Sequence, residues 1–371
     1  MINVKFKLYE YNTLKFKFES KSLHIYIHIP FCTSKCPYCA FGSSADSFDL
    51  VKSYFEALSL EIDNAKLSNI KTIFIGGGTP SSINANFYEE IFTKLSQFID
   101  ENTEITTEAN PNSANLKWLL KMKSYGVNRV SFGTQSFNDE KLKLLDRNHN
   151  ATHTKKAVEN AKKAGFENIN LDIIYSTKFD DRKLLLSEIA NLKELELTHI
   201  SAYSLILEEN TPFENKFEYL NDDVDNARFL FSELENAGFK QYEISNFGRV
   251  CKHNLAYWEG KNYLGLGAYS VGFDTSRRYY AHESIKEYIK NPLFRKVEEL
   301  TKEELKLERL FLGFRSCVGV NAGLLNESEL KKAKILVVEE KLEFKNETFY
   351  NRNFLLSDEI VLFISDDFTR N

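Results

Sequence analysis

The chain has no excess of positive charge: 48 Lys and Arg against 53 Asp and Glu leave a formal net charge of −5. The basic footprint of a nucleic-acid-binding surface is therefore missing, and no nucleic-acid partner is expected. No run approaches the roughly 18 apolar residues that a membrane-spanning helix needs. There is no low-complexity stretch and no internal repeat of the solenoid kind. The first twenty residues carry Lys5, Lys7, Glu10, Lys15, Lys17 and Glu19 around no apolar core, which reads as neither a secretory signal nor a transit peptide. Cysteine is scarce, five in 371 residues. Three of the five sit together, which is unlike a disulfide framework and fits a reducing cytoplasm. At 27% charged and 43% hydrophobic, the rest is ordinary for a soluble globular protein, of about two domains by length.

What is present is concentrated in Phe31-Cys32-Thr33-Ser34-Lys35-Cys36-Pro37-Tyr38-Cys39. The C-x3-C-x2-C spacing is one thiolate short of a closed site. Structural zinc takes four protein ligands and simple iron–sulfur carriers take four cysteines, so three leave one metal position open. Zinc completed by His24 or His28, or three unrelated loop thiols, are the competing readings.

Period-two and helical patterns alternate along the first half of the chain. In Leu23–Ile29 the odd positions are aliphatic and the even ones are His or Tyr, the signature of a strand with two unlike faces. Tyr26 and His28 share one of them. Further strands read at 72–75, 104–108, 129–132, 168–174 and 199–205, separated by helical segments near 51–65, 87–98, 116–125, 152–164 and 183–195. Gly165 falls where a helix ends in a left-handed residue. The expected class is α/β, six parallel strands joined by right-handed crossovers; periodicity leaves a partial barrel and a doubly wound open sheet both open. Either places ligands at the carboxyl ends of the strands. There lie the cysteine loop, Gly76-Gly77-Gly78-Thr79-Pro80, Glu108 and Gln135. The glycine run lacks the ending of a phosphate loop and the spacing of a dinucleotide fingerprint. The organisation expected is an extension over 1–22, the α/β unit over 23–245, a connecting region over 246–290 that is loop-rich to about 280, and a small α+β domain over 291–371. Cys317 and Met122 read as core, and His149 with His153, four apart, as a solvated helix face.

These motifs together resemble the radical S-adenosylmethionine (SAM) family, where three cysteines hold a [4Fe-4S] cluster and SAM chelates its fourth iron. The resemblance selects a partial (β/α)6 barrel. It implies that Cys32, Cys36 and Cys39 are the cluster ligands, that Tyr38 lies against adenine, and that Gly77, Gly78 and Thr79 meet the amino group of SAM. Glu108, Gln135, Arg147 and Asp172 match SAM-contacting positions in the coproporphyrinogen-dehydrogenase branch, and Tyr26 joins that cofactor-binding set. The chemistry suits: the planar fork of Arg147 can pair with a carboxylate, and Asp172 can accept from ribose hydroxyls.

His28-Ile29-Pro30-Phe31-Cys32 is specific to this branch, and two features divide it. The oxygen-independent coproporphyrinogen III dehydrogenases have a further cysteine where this chain has Phe41. His253-Asn254-Leu255-Ala256-Tyr257-Trp258 is similar to the HNxxYW motif of HemW-type haem chaperones. The resemblance therefore implies haem binding, with His253 as iron ligand and Tyr257 and Trp258 as apolar faces for the porphyrin. Cys251 is the alternative soft ligand. Expected partners are haem and an acceptor protein; a homodimer and a peripheral membrane contact stay open. The alternative function is the dehydrogenase itself, and a plain iron–sulfur electron carrier would need no SAM pocket. One departure stands out: where the family has a Gly-Leu-Pro-Gly turn after Tyr175, this chain has Ser176-Thr177-Lys178-Phe179.

Overall fold

The computed structural model describes residues 8–11 and 23–365; the rest of the 1–22 extension and the last six residues lie outside the described residues. Six strands run parallel in chain order: β2 (Leu23–Ile29), β3 (Ile70–Gly77), β4 (Glu104–Ala109), β5 (Arg129–Gln135), β6 (Asn168–Tyr175) and β7 (His199–Ser204), after a short β1 (Leu8–Tyr11). The helices between them are α1 (Val51–Asn64), α2 (Tyr88–Leu95), α3 (Leu116–Ser124), α4 (Asp139–Leu144), α5 (Ala151–Lys163) and α6 (Arg182–Glu194), with α7 (Val224–Asn236) after β7. The period-two pattern of β2 is used as expected: Leu23, Ile25, Ile27 and Ile29 are buried in the main core with Tyr54, Phe55, Leu58 and Ile62 of α1. Side-chain caps start the later helices, Asn115, Asn138, Asn150, Asp181 and Asp223 each accepting a first-turn amide. Each such cap is worth about 1 kcal/mol. Gly165 closes α5 at φ +85°.

The region expected to be loop-rich is not. It holds β8 (Asn246–Gly248), α8 (Lys252–Trp258), β9 (Tyr263–Leu266), β10 (Val271–Asp274) and β11 (Arg277–Tyr280), elements of three to seven residues, too short to show a period. β8 adds antiparallel to β7, and β9 adds parallel to β2. After α9 (Ile285–Lys290), β12 (Arg295–Glu299) completes a twelve-stranded sheet of order β1-β12-β11-β10-β9-β2-β3-β4-β5-β6-β7-β8. Phe74, Arg129, Asp172 and Tyr203, from four strands, line one cavity, so the parallel part curls around an interior as a partial barrel.

A second core gathers Leu310, Phe314, Val320, Leu336, Phe349 and Val361. It is built by α10 (Lys302–Phe314), β13 (Val320–Asn321), α11 (Glu327–Val338), β14 (Leu342–Lys345), β15 (Thr348–Asn351) and α12 (Ser357–Ile364), with the strands in the order β13-β15-β14. β12 falls within 291–371 yet belongs to the main sheet. Among the described residues no helix is long and apolar enough to cross a membrane.

Candidate functional site

At the carboxyl ends of the strands the cysteine loop folds back on itself. The Ser44 amide donates to the Pro30 carbonyl at 2.8 Å and the Cys32 amide to the Ser44 carbonyl at 3.1 Å. The glycine run packs beside it backbone to backbone, Gly78 N–H on Ile29 O (2.9 Å) and Thr79 N–H on Phe31 O (2.7 Å). A Cβ at Gly78 would sit 2.7 Å from the Phe31 oxygen, and one at Gly77, whose φ is +105°, would strike the His28 ring at 2.6 Å. Only glycine allows this approach. One cavity of about 160 Å³ is lined by Cys32, Cys36, Cys39, Tyr38, Gly77, Gly78, Thr79, Glu108, Gln135, Arg147 and Asp172. Eleven residues singled out from the sequence thus meet in one place.

The polar wall of this cavity sets one guanidinium among half-buried carboxyl and amide groups. Arg147 donates from Nη1 to Cys36 Sγ at 3.2 Å and from Nη2 to Gly133 O at 2.8 Å, while its buried Nε has no partner among the described residues. Burial, then the neighbouring Asp172 charge, pushes the Glu108 carboxyl up to about 8; it accepts the Gly77 amide at 3.2 Å. Burial also raises Asp172, against hydrogen bonds from Asn170, Ser201 and Ser131. Gln135 takes a left-handed φ of +65°, a strained conformation for a side chain of its size and of the kind found at functional sites. Sequence reasoning missed the residues that hold these groups. Asn170 Nδ2 donates to Asp172 at 2.7 Å and the Ser131 hydroxyl approaches both Asp172 oxygens at 3.3 Å. The signal was available: Arg129, Ser131, Asn170, Asp172 and Ser201 alternate with aliphatics on the inner barrel face.

A second cavity of about 570 Å³ opens from the first, sharing Phe41, Gly77 and Glu108 with it, and is lined by Tyr26, Phe74, Tyr257, Tyr263, Tyr269 and Phe273 among others. That volume lies within the roughly 300–1,000 Å³ range of small-molecule sites. Its far wall is α8, which plugs the amino end of the barrel. His253 bonds Thr72 near the start of β3, and its amide donates to Glu104 at the start of β4. From Thr72 to Gly77 is five residues of strand, roughly 16 Å, so the plug and the cysteine loop stand at opposite ends.

The plug alters several expectations. His253 is buried and both its ring nitrogens are engaged, Nδ1 with Thr72 Oγ1 at 2.7 Å and Nε2 with the Tyr257 hydroxyl at 2.8 Å. It therefore offers no free nitrogen to an iron. Tyr257 faces the large cavity, but Trp258 lines a neighbouring one with Tyr203 and Glu243. Cys251 is buried against Glu104. His24 and His28 are held elsewhere, by Thr72 and by Tyr26 and Gly42. Among the described residues no three His, Cys, Asp or Glu side chains converge as a single-ion site; a cubane needs its thiolates spread around it. Met122 is core, whereas Cys317 is exposed. His149 is buried on the Thr134 carbonyl rather than solvated, because it lies in the loop before the Asn150 cap of α5, and only His153, which is exposed, is on the helix. Ser176 has a left-handed φ of +61°, and Thr177 is fixed by the Asp180 carboxylate.

The Radical SAM superfamily profile matches residues 26–187. The chain is 34% identical over 310 residues to the heme chaperone HemW of Lactococcus lactis subsp. lactis, covering 80% of this chain and 82% of that one. To the heme chaperone HemW of Bacillus subtilis it is 35% identical over 318 residues, covering 80% and 84%. Among solved structures, the Escherichia coli coproporphyrinogen III oxidase HemN, described as a radical SAM enzyme, superposes with a TM-score of 0.78 at 18% identity, covering 93% of this chain and 90% of that one.

Proposed function

The chain belongs to the HemW haem-chaperone family of the radical SAM superfamily, and from that premise we propose that it binds a [4Fe-4S] cluster, SAM and one haem, and hands the haem to an acceptor protein in the cytoplasm. Cys32, Cys36 and Cys39 would hold the cluster. The donor set fits: three thiols, a buried Arg147 Nε in want of an acceptor, and a glycine cradle shaped for backbone approach. When bound, the reduced cluster and SAM supply one-electron chemistry. The chain's own residues bind and orient: Arg147 pairs with a carboxylate, the glycine-run carbonyls and Glu108 accept from an ammonium, Asp172 accepts from ribose hydroxyls, and Tyr38 covers the adenine.

The observation that carries the haem reading is the aromatic cavity between the cluster end and the α8 plug, with Phe41 on the wall that joins it to the cysteine loop. An apolar ring there cannot supply the extra thiol of the dehydrogenases. The test is anaerobic incubation of the reconstituted protein with SAM, reductant and coproporphyrinogen III, with products read by mass spectrometry. No propionate should become a vinyl group. Protoporphyrinogen formation would move the function to the dehydrogenase.

A further inference from the structure

Four side chains form a hydrogen-bonded row across the plug. Thr72 Oγ1 lies 2.9 Å from His24 Nδ1 and 2.7 Å from His253 Nδ1, and His253 Nε2 lies 2.8 Å from the Tyr257 hydroxyl. One end of the row fixes its direction. His24 is buried, and its Nε2 has no hydrogen-bond partner among the described residues. A buried N–H without an acceptor is costlier and rarer than a bare acceptor, so the His24 proton belongs on Nδ1. His24 Nδ1–H then donates to Thr72. A hydroxyl has one proton, and that of Thr72 goes to His253 Nδ1. The proton of His253 is left on Nε2, where it donates to the Tyr257 oxygen. Both imidazoles are neutral throughout, as their burial requires. The phenolic proton of Tyr257 is the one with no place in the row; His253 and Tyr257 both line the aromatic cavity, but only Tyr257 has an oxygen left to offer, and it also lines the neighbouring cavity.

Resting on the haem reading above, we infer that Tyr257 rather than His253 ligates ferric haem iron, its phenolate oxygen held by the row His24–Thr72–His253. Binding breaks the phenolic O–H and forms an O–Fe(III) bond, the proton leaving to solvent, with no change in oxidation state. Tyrosinate is an established axial ligand type for haem, and an N–H donated onto a phenolate is a charge-assisted bond stronger than a neutral one. His253 acts through Tyr257 as a positioning residue. The arrangement suits a carrier, because losing the ligand needs only one proton to return to the phenol while the imidazole row stays intact.

The test is a ferric haem titration of the anaerobically reconstituted full chain, followed by absorption and resonance Raman spectra of wild type, Tyr257→Phe and His253→Ala. Wild type should show a phenolate-to-iron charge-transfer band whose Raman modes shift when the protein is grown with ring-deuterated tyrosine, a readout that needs no variant to fold. Tyr257→Phe should lose that band and weaken haem binding about tenfold or more, a change of roughly 1.4 kcal/mol or above. His253→Ala should keep the band at a shifted energy, because only the hydrogen bond to the phenolate is gone. A histidine-type spectrum in wild type, preserved in Tyr257→Phe and lost in His253→Ala, overturns the inference and leaves the haem reading standing. No saturable haem binding by wild type overturns both.

Discussion

Arg147 and Cys36 are in contact: one guanidinium arm donates to the cysteine sulfur at 3.2 Å while the other is anchored on the Gly133 carbonyl of β5 at 2.8 Å. The fork is thus fixed in orientation before any ligand arrives, with Nε still to be satisfied. Arg147→Ala should leave cluster iron in place and raise the SAM dissociation constant about tenfold or more, the loss of a charge-assisted pair. Equilibrium binding to the reconstituted protein measures it, and an unchanged constant removes Arg147 from the SAM site.

The cysteine loop makes a sharper claim. Replacing Cys32, Cys36 or Cys39 by Ala should each abolish iron and acid-labile sulfide, whereas Cys317→Ala, at an exposed residue outside the lining of the cysteine cavity, should change neither. Stoichiometric zinc without iron in anaerobically prepared protein would contradict the cluster.

Glu108 predicts a pH dependence with a definite sign. Its folded pKa, pushed up to about 8 by burial and by Asp172, exceeds the ordinary 4.5. Its contribution to stability is therefore fully present below the unfolded value and is lost as pH rises through about 8. In anaerobic thermal unfolding, wild type should lose stability relative to Glu108→Gln between about pH 5 and about pH 9. A difference that stays flat over that range would mean Glu108 is not buried as described.

Buried Lys141 pairs with Asp180 at 2.6 Å and lies 3.9 Å from Glu188, all three side chains essentially without solvent. Glu188 also accepts the Ser136 hydroxyl and, at 2.9 Å, the Phe137 amide, while Asp180 fixes Thr177. The network therefore clamps the loops after β5 and β6 that carry the site. Lys141→Met should cost about 3–5 kcal/mol, because it leaves two buried carboxylates uncompensated. Urea unfolding measures this; a loss under about 1 kcal/mol would show that the carboxylates find protons or water at little expense.

The parallel barrel and the cysteine-lined cavity were legible because their signals are local. Aliphatic alternation in Leu23–Ile29, glycines at a strand end and polar residues at successive strand ends each imply geometry directly. The plug was not legible. The motif at His253 pointed to haem, but neither the motif nor any period shows that His253 meets Thr72, 181 positions earlier in the chain. Burial turns that histidine from a candidate ligand into a hydrogen-bond partner of one. His149 failed for a different reason: spacing does not say where a helix starts, and α5 begins at Ala151 after its Asn150 cap, leaving His149 in the preceding loop against the Thr134 carbonyl of β5. β8 to β11 were too short for alternation to register, and their pairing is set by the sheet edges they join.

The central claim is that one chain carries a haem beside an intact cluster site. Titration of the anaerobically reconstituted protein with haem, with iron and sulfide assayed before and after, tests it most directly. Saturation at one haem per chain with the cluster retained is the expected result. Haem uptake that never saturates, or that appears only as the cluster is lost, would contradict it.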